Sequence, residues 1–395
     1  MLRVITSMDP ASGGPCQGIR NSIPALNKLG VYTEVVCLDA PNTSFLHKDS
    51  FPVHAIGPAK GPWAHSKALI PWLVSHFENF DIVIAHGLWL YQTHAVRKAL
   101  QIYRKQNTGK KAPRFYVMPH GMLDPYFQKA SGRKLKALRN LAYWKLIESK
   151  VVNGADGVLF TCQAELELAR QPFTPYAPKK ELNVGYGIPA PPIFNEDMNL
   201  AFQACCPLLK DRNYFLFLSR VHEKKGVDIL INAYKKTLAA YPEMPCLVIA
   251  GPGLETAFGK QLFALVENEV QLTSKVFFAG MLTGNAKWGA FFGCDAFVLP
   301  SHQENFGIAV VEALACTKPV LISNQVNIWH EIETCNGGFV ANDTEAGTIE
   351  LFRKWNSLTP FERKSMELNA KQTYEQFFAV DPAASRMFKS LKANS

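Results

Sequence analysis

No stretch of about 18 consecutive apolar residues occurs in the 395-residue sequence, which excludes an ordinary membrane-spanning helix. The apolar start, residues 2–5, is too short for a signal-peptide core and soon meets Asp9, Pro10 and two glycines. A first β-strand is expected there, in a soluble, cytoplasmic protein. Cysteine pairing is also lacking: the nine cysteines are odd in number and scattered, with no C-x-x-C spacing for zinc or redox work, so reduced, mostly buried thiols are expected. No G-x-G-x-x-G follows any strand-like run, which argues against a nicotinamide dehydrogenase.

What is present is ample core material. With 48% hydrophobic and 19% charged residues the chain is globular, and its length exceeds what one core usually supports. Short β-rich runs at 2–6, 33–38, 81–85, 114–118 and 157–161 alternate with helical stretches. After a gap the pattern recurs at 214–219, 246–250, 275–279, 295–299 and 319–323, with helices predicted over 227–240 and 308–316. Two α/β units with parallel sheets follow. The run Gly187-Ile188-Pro189-Ala190-Pro191-Pro192 is a natural hinge, giving expected domains of 1–188 and 189–372. A C-terminal helical segment, 373–395, with apolar residues on one side, is expected to pack back toward the first domain. Open parallel sheets bind ligands beyond the carboxyl ends of their strands, so two such sheets edge to edge are expected to form a cleft lined by loops.

The net charge of +9 is unevenly placed. Between 128 and 150 stand Lys129, Arg133, Lys134, Lys136, Arg139, Lys145 and Lys150 against the single acid Glu148. Such a segment is either a solvated helix face or a contact for an anionic membrane or an anionic lipid-linked substrate. No nucleic-acid-binding motif accompanies it.

Chemistry-bearing residues fall on post-strand loops. Arg220 follows the run 214–219, and Lys225-Gly226 precede the helix predicted from Val227. A planar cationic fork, a point charge and a helix N-terminus together suit a diphosphate, although a lysine-rich surface turn has the same composition. The run 295–299 leads into Ser301, Glu304, Asn305, Phe306 and Gly307, and then into a helix from Ile308 that carries Glu312. Glu304 and Glu312 can accept from paired hydroxyls at two parts of an elongated ligand, and the backbone N–H groups from Asn305 to Ile308 can face its oxygens. The alternative makes Glu304 a helix-start carboxylate and Glu312 an exposed one. Glu312, however, lies among Val310, Val311, Ala313 and Leu314 and needs a partner.

Arg220 with Lys225-Gly226, the block Val298-Leu299-Pro300-Ser301, and Glu304 separated from Glu312 by seven residues resemble the retaining glycosyltransferase family 4, of GT-B fold. Ser12-Gly13-Gly14-Pro15, His86-Gly87-Leu88-Trp89 and Pro119-His120-Gly121-Met122-Leu123-Asp124 resemble its polysaccharide-assembling branch, and the likeness extends over essentially the whole chain. Gly185-Tyr186-Gly187 and Thr317 depart from the family pattern without touching the diphosphate or Glu304/Glu312 positions.

The resemblance implies a retaining hexosyltransferase of the cell envelope or exopolysaccharide assembly, using a nucleotide sugar, UDP-glucose in first place. The acceptor would be a polysaccharide or lipid-linked oligosaccharide at the inner face of a bacterial membrane. It implies donor contacts from Gly13, Gly14, Arg220, Lys225, Gly251, Met281, Glu304 to Ile308 and Glu312, with His120, Glu304, Arg220 and Lys225 as catalytic groups. His86, Trp89 and Asp124 fall on the acceptor side. No D-x-D pair occurs, so no metal or other cofactor is expected, and cations with helix N-termini would stabilise the leaving phosphate. A GT-B-fold nucleotide-sugar epimerase and a catalytically silent nucleotide-sugar-binding scaffold are the alternative readings.

Overall fold

The computed structural model describes residues 1–129 and 133–393; residues 130–132, inside the basic segment, and 394–395, at the end of the C-terminal one, lie outside it. The chain forms two compact units, one of Met1–Gly187 with the C-terminal segment from Val380, the other Ile188–Ala379.

In the first unit the strands are β1 (Leu2–Ile5), β2 (Glu34–Cys37), β3 (Val53–Ala55), β4 (Ile82–His86), β5 (Arg114–Met118), β6 (Gly157–Phe160) and β7 (Glu181–Asn183), in the order β3-β2-β1-β4-β5-β6-β7. All pairings are parallel. The apolar side chains of β1 and β6, and most of those of β2, β4 and β5, are buried on both faces, as parallel strands covered by helices require. The helix Val380–Ala393 belongs to this unit and packs Ala384, Met387 and Leu391 among Leu26, Ile84, Tyr116, Met118 and Leu159. The segment expected from 373 thus divides: the turn Tyr374–Phe378 stays with the second unit.

The second unit holds β8 (Tyr214–Leu218), β9 (Cys246–Ala250), β10 (Val276–Gly280), β11 (Ala296–Leu299), β12 (Val320–Ser323) and β13 (Gly338–Ala341), in the parallel order β10-β9-β8-β11-β12-β13. Strands β3, β7 and β13, absent from the sequence reading, are three or four residues long and lie at or next to sheet edges. An edge strand packs little apolar surface, so its sequence carries little alternation.

Both sheets reverse their winding once, between β1 and β4 in the first and between β8 and β11 in the second. At such a reversal the flanking helices leave in opposite directions and open a crevice beyond the strand ends. Arg3 and His86 stand on β1 and β4, while Arg220 and Ser301 follow β8 and β11.

Candidate active site

In the second unit the loop after β8 runs through Arg220, exposed, to the short turn Glu223–Lys225. Gly226 then adopts the left-handed φ of 65° and caps the helix Val227–Leu238. A side chain there would collide with the Pro300 carbonyl, so only glycine lets this helix start beside the end of β11. Gly251, after β9, has φ 140° and lies so close to Ser219 that any Cβ would overlap its carbonyl. The carbonyl of Lys224 accepts from the His302 N–H at 2.9 Å and from the Ser301 hydroxyl at 3.1 Å, which ties the post-β8 and post-β11 loops together.

Lys225, buried, reaches across this junction and pairs with the Glu304 carboxylate. Burial, then the charges of Lys224 and Arg220, push the Lys225 ammonium down to about 7, and the Glu304 contact opposes that loss of charge. Glu304 is fixed from its backbone: its N–H donates to Gln325 and its carbonyl accepts from the Asn327 N–H, both at 2.9 Å. Gly307, at φ 76°, caps the helix Ile308–Ala315. Glu312 on that helix pairs with Lys287 at 2.6 Å. Burial raises the Glu312 carboxyl and Lys287 pulls it back. The Lys287 ammonium also sits 4.5 Å from the Trp288 ring centroid. Lys287 lies on the helix Gly284–Gly293, where a lysine in the sequence ordinarily signals solvent. Arg220, Lys225, Glu304, Gly307 and Glu312 therefore all lie in the segments that follow the carboxyl ends of β8 and β11, whereas Met281 follows β10, two strands from β8, and is exposed.

The first unit has a second polar centre. His86 Nδ1 and His120 Nε2 are 2.9 Å apart, and the guanidinium of Arg3 lies 3.4 Å from His86 Nε2. Burial drives His86 well below its ordinary range, helped by Arg3 and His120, and burial with the Arg3 charge brings His120 down to about 3. His120 sits at φ +54°, a left-handed conformation costing a non-glycine residue about 1–2 kcal/mol. The loop is held by Glu165, buried, which accepts from the Gly121 N–H at 2.5 Å and the Thr161 N–H at 2.7 Å. Gly13, at φ 88°, caps the helix Gly14–Lys28, and the Gly14 carbonyl accepts from the Tyr186 hydroxyl at 2.5 Å. Trp89 turns into an aromatic cluster with Phe173 and Trp144, while Asp124 accepts from the Tyr126 N–H at 2.8 Å. Among the described residues no group of three or more histidine, cysteine or acidic side chains is placed to hold a metal ion.

Residues 13–180 match the family model of the glycosyl transferase 4-like domain, and residues 207–372 that of glycosyl transferases group 1. An uncharacterized glycosyltransferase of Methanocaldococcus jannaschii is 31% identical over 134 residues, 32% of this chain and 33% of its own. A D-inositol 3-phosphate glycosyltransferase of Stackebrandtia nassauensis is 27% identical over 135 residues, 33% of this chain and 30% of its own. The matched region thus spans about a third of these relatives. Among solved structures, HepE of Anabaena in complex with UDP superposes with a TM-score of 0.73 at 18% identity, covering 99% of each chain. Sucrose-phosphate synthase of Thermosynechococcus elongatus gives 0.69 at 18% identity, covering 100% of this chain and 99% of its own. With a glycosyltransferase family model matched on each half, over two parallel-sheet Rossmann-like units, the chain belongs to the glycosyltransferases of GT-B fold.

Proposed function

We propose that this protein transfers a hexose, with retention of configuration, from a nucleotide sugar to a polysaccharide or lipid-linked oligosaccharide. The observation that carries the reading is the pair of ion contacts, Lys225–Glu304 and Lys287–Glu312, in the second unit. Each joins a cation suited to phosphate with a carboxylate suited to vicinal hydroxyls, and an elongated ligand bearing both groups would exchange with both pairs. Arg220, Lys225 and the N-terminus of the helix from Val227 would take up the charge of the leaving diphosphate, with no metal. Glu304 and the backbone from Asn305 to Ile308 would hold the sugar, Glu312 the ribose, and the loops at Gly13-Gly14, Gly251 and Met281 the remaining donor surface. His120 would meet a substrate hydroxyl, with His86, Trp89 and Asp124 on the acceptor side. UDP-glucose is the favoured donor, and HepE has been solved with UDP-glucose as well as with UDP.

For the acceptor we assign the basic segment in the first unit to an anionic bilayer at the inner face of the plasma membrane. The helix Lys134–Tyr143 and the turn after it expose Leu135, Leu138 and Leu146 to 85%, 65% and 69%, beside exposed Lys134, Lys136, Arg139 and Lys145. An apolar row flanked by cations is what an interfacial helix presents to acidic lipid. No helix among the described residues is long and apolar enough to cross a membrane.

The test is thermal unfolding with UDP-glucose, UDP-galactose, UDP-N-acetylglucosamine, GDP-mannose and free nucleotides in EDTA, with Lys225→Ala and Glu312→Ala as controls. One nucleotide family should raise the wild-type melting temperature and leave the controls unmoved. Stabilisation by none of them, or only after magnesium or manganese is added, sinks the reading or its metal-free form respectively.

A further inference from the structure

The polar centre of the first unit contains a directional hydrogen-bond chain. Arginine has only N–H groups and cannot accept a hydrogen bond. Burial lowers Arg3 to about 10, which leaves it protonated at neutral pH, and it forms no ion pair among the described residues. Its Nη2 meets the Ser22 hydroxyl at 3.4 Å and the Met387 sulfur at 3.3 Å, and its Nη1 meets His86 Nε2 at 3.4 Å. His86 must therefore offer a lone pair at Nε2. A neutral imidazole with a bare Nε2 carries its proton on Nδ1, and that proton points at His120 Nε2, 2.9 Å away, with the rings inclined by only 23°. Nε2 of His120 is then the acceptor, and its own proton is on Nδ1.

We propose that Arg3 and His86 are positioning residues that fix His120 as the neutral Nδ1–H tautomer, so that its other ring nitrogen presents a hydrogen-bond donor and not a base. The geometry leaves little freedom to reverse the chain. The Gln92 amide donates to the His86 carbonyl at 3.0 Å, and the loop of His120 is clamped through Gly121 and Glu165. Protonating either ring would place two N–H groups against each other, at Arg3–His86 or at His86–His120. The substrate atom that His120 meets is accordingly an acceptor, such as a hydroxyl or carbonyl oxygen, and His120 takes no proton during the reaction. This specifies the role given to His120 under the proposed function and rests on that reading only for its use in catalysis.

The test is histidine-selective 15N NMR of the full chain, with the two rings assigned from His86→Gln and His120→Gln. Both rings should show a protonated Nδ1 and a bare Nε2. Arg3→Lys, which keeps a cationic donor, should retain that pattern, and Arg3→Met should give a mixture of tautomers at both histidines. A wild-type His120 protonated on Nε2 overturns the proposal, as does a folded Arg3→Met protein with the wild-type pattern. If Arg3→Met does not fold, the wild-type and Arg3→Lys spectra decide. His120→Ala retaining full transfer activity would remove the catalytic use of His120, and the tautomer pattern would still stand or fall separately.

Discussion

The two polar centres solve the problem of buried charge in opposite ways. In the second unit two cations each have a carboxylate: Lys225 has Glu304 and Lys287 has Glu312. In the first, Arg3 has none among the described residues, and the two histidines beside it are kept neutral. Paired charges can change partners when an anion and a sugar arrive, because the protein supplies interim counterions. A chain of fixed donors and acceptors around one cation cannot rearrange without breaking a hydrogen bond, so it holds an orientation. The second centre is thus suited to gripping a charged ligand, and the first to presenting one ring in one state.

The sharpest way to break this contrast is to remove the central cation of the paired site. Lys225→Ala should lower kcat for sugar transfer by about 10²–10³-fold, the scale of losing one group that stabilises transition-state charge, measured as initial rates at saturating donor. An unchanged kcat with a raised KM would make Lys225 a ground-state binder only. Next in size, Lys287→Met should weaken donor binding by about 10-fold, read by calorimetry. It leaves the Glu312 carboxylate without its cation in an apolar segment, and Glu312→Gln in the same background should recover part of the loss.

Acid should separate the centres further. His86 and His120 are neutral in the fold, and His120 protonates only near about 3, whereas unfolded histidine protonates near about 6.5. Below about 6.5 the unfolded chain takes up protons that the fold refuses. The contribution of His120 to stability is therefore complete above that pH and is lost as pH falls toward about 3, and that of His86 is lost in the same direction. Urea midpoints followed from pH 7 to pH 4 should fall, and His120→Gln should flatten the slope. A slope unaltered by that substitution would place the acid sensitivity elsewhere.

The smallest effect on the chemistry is expected at the basic face. Charge reversal of Lys134, Lys136 and Arg139 should release the protein from anionic vesicles in a flotation assay while leaving transfer to a soluble acceptor within about two-fold. Each cation near an acidic surface contributes about 1 kcal/mol. Vesicle binding that survives the reversal would count against the assignment.

Much of this was readable along the chain because parallel strands buried on both faces are uninterrupted apolar runs, and because loops after strands carry the reactive side chains. The runs ending at Met118, Ala250 and Leu299 announced their strands, and Gly226 and Gly307 marked helix starts that need a left-handed residue. Arg3 is legible in the sequence as a lone charge inside an apolar strand. Lys287 carried no such signal, since nothing local to its helix says that Glu312 stands opposite.

The sequence by itself determined the two-unit α/β architecture and the positions of Arg220, Lys225, Glu304 and Glu312, because periodicity and loop placement are local properties. Only the tertiary structure decided the partners. Lys225 with Glu304 spans 79 positions, Arg3 with His86 spans 83, and Arg3 with Met387 spans 384. Parallel strands need crossover connections, so neighbours in the sheet are remote in the chain, and the electrostatics of a site made of neighbours cannot be read from either segment alone.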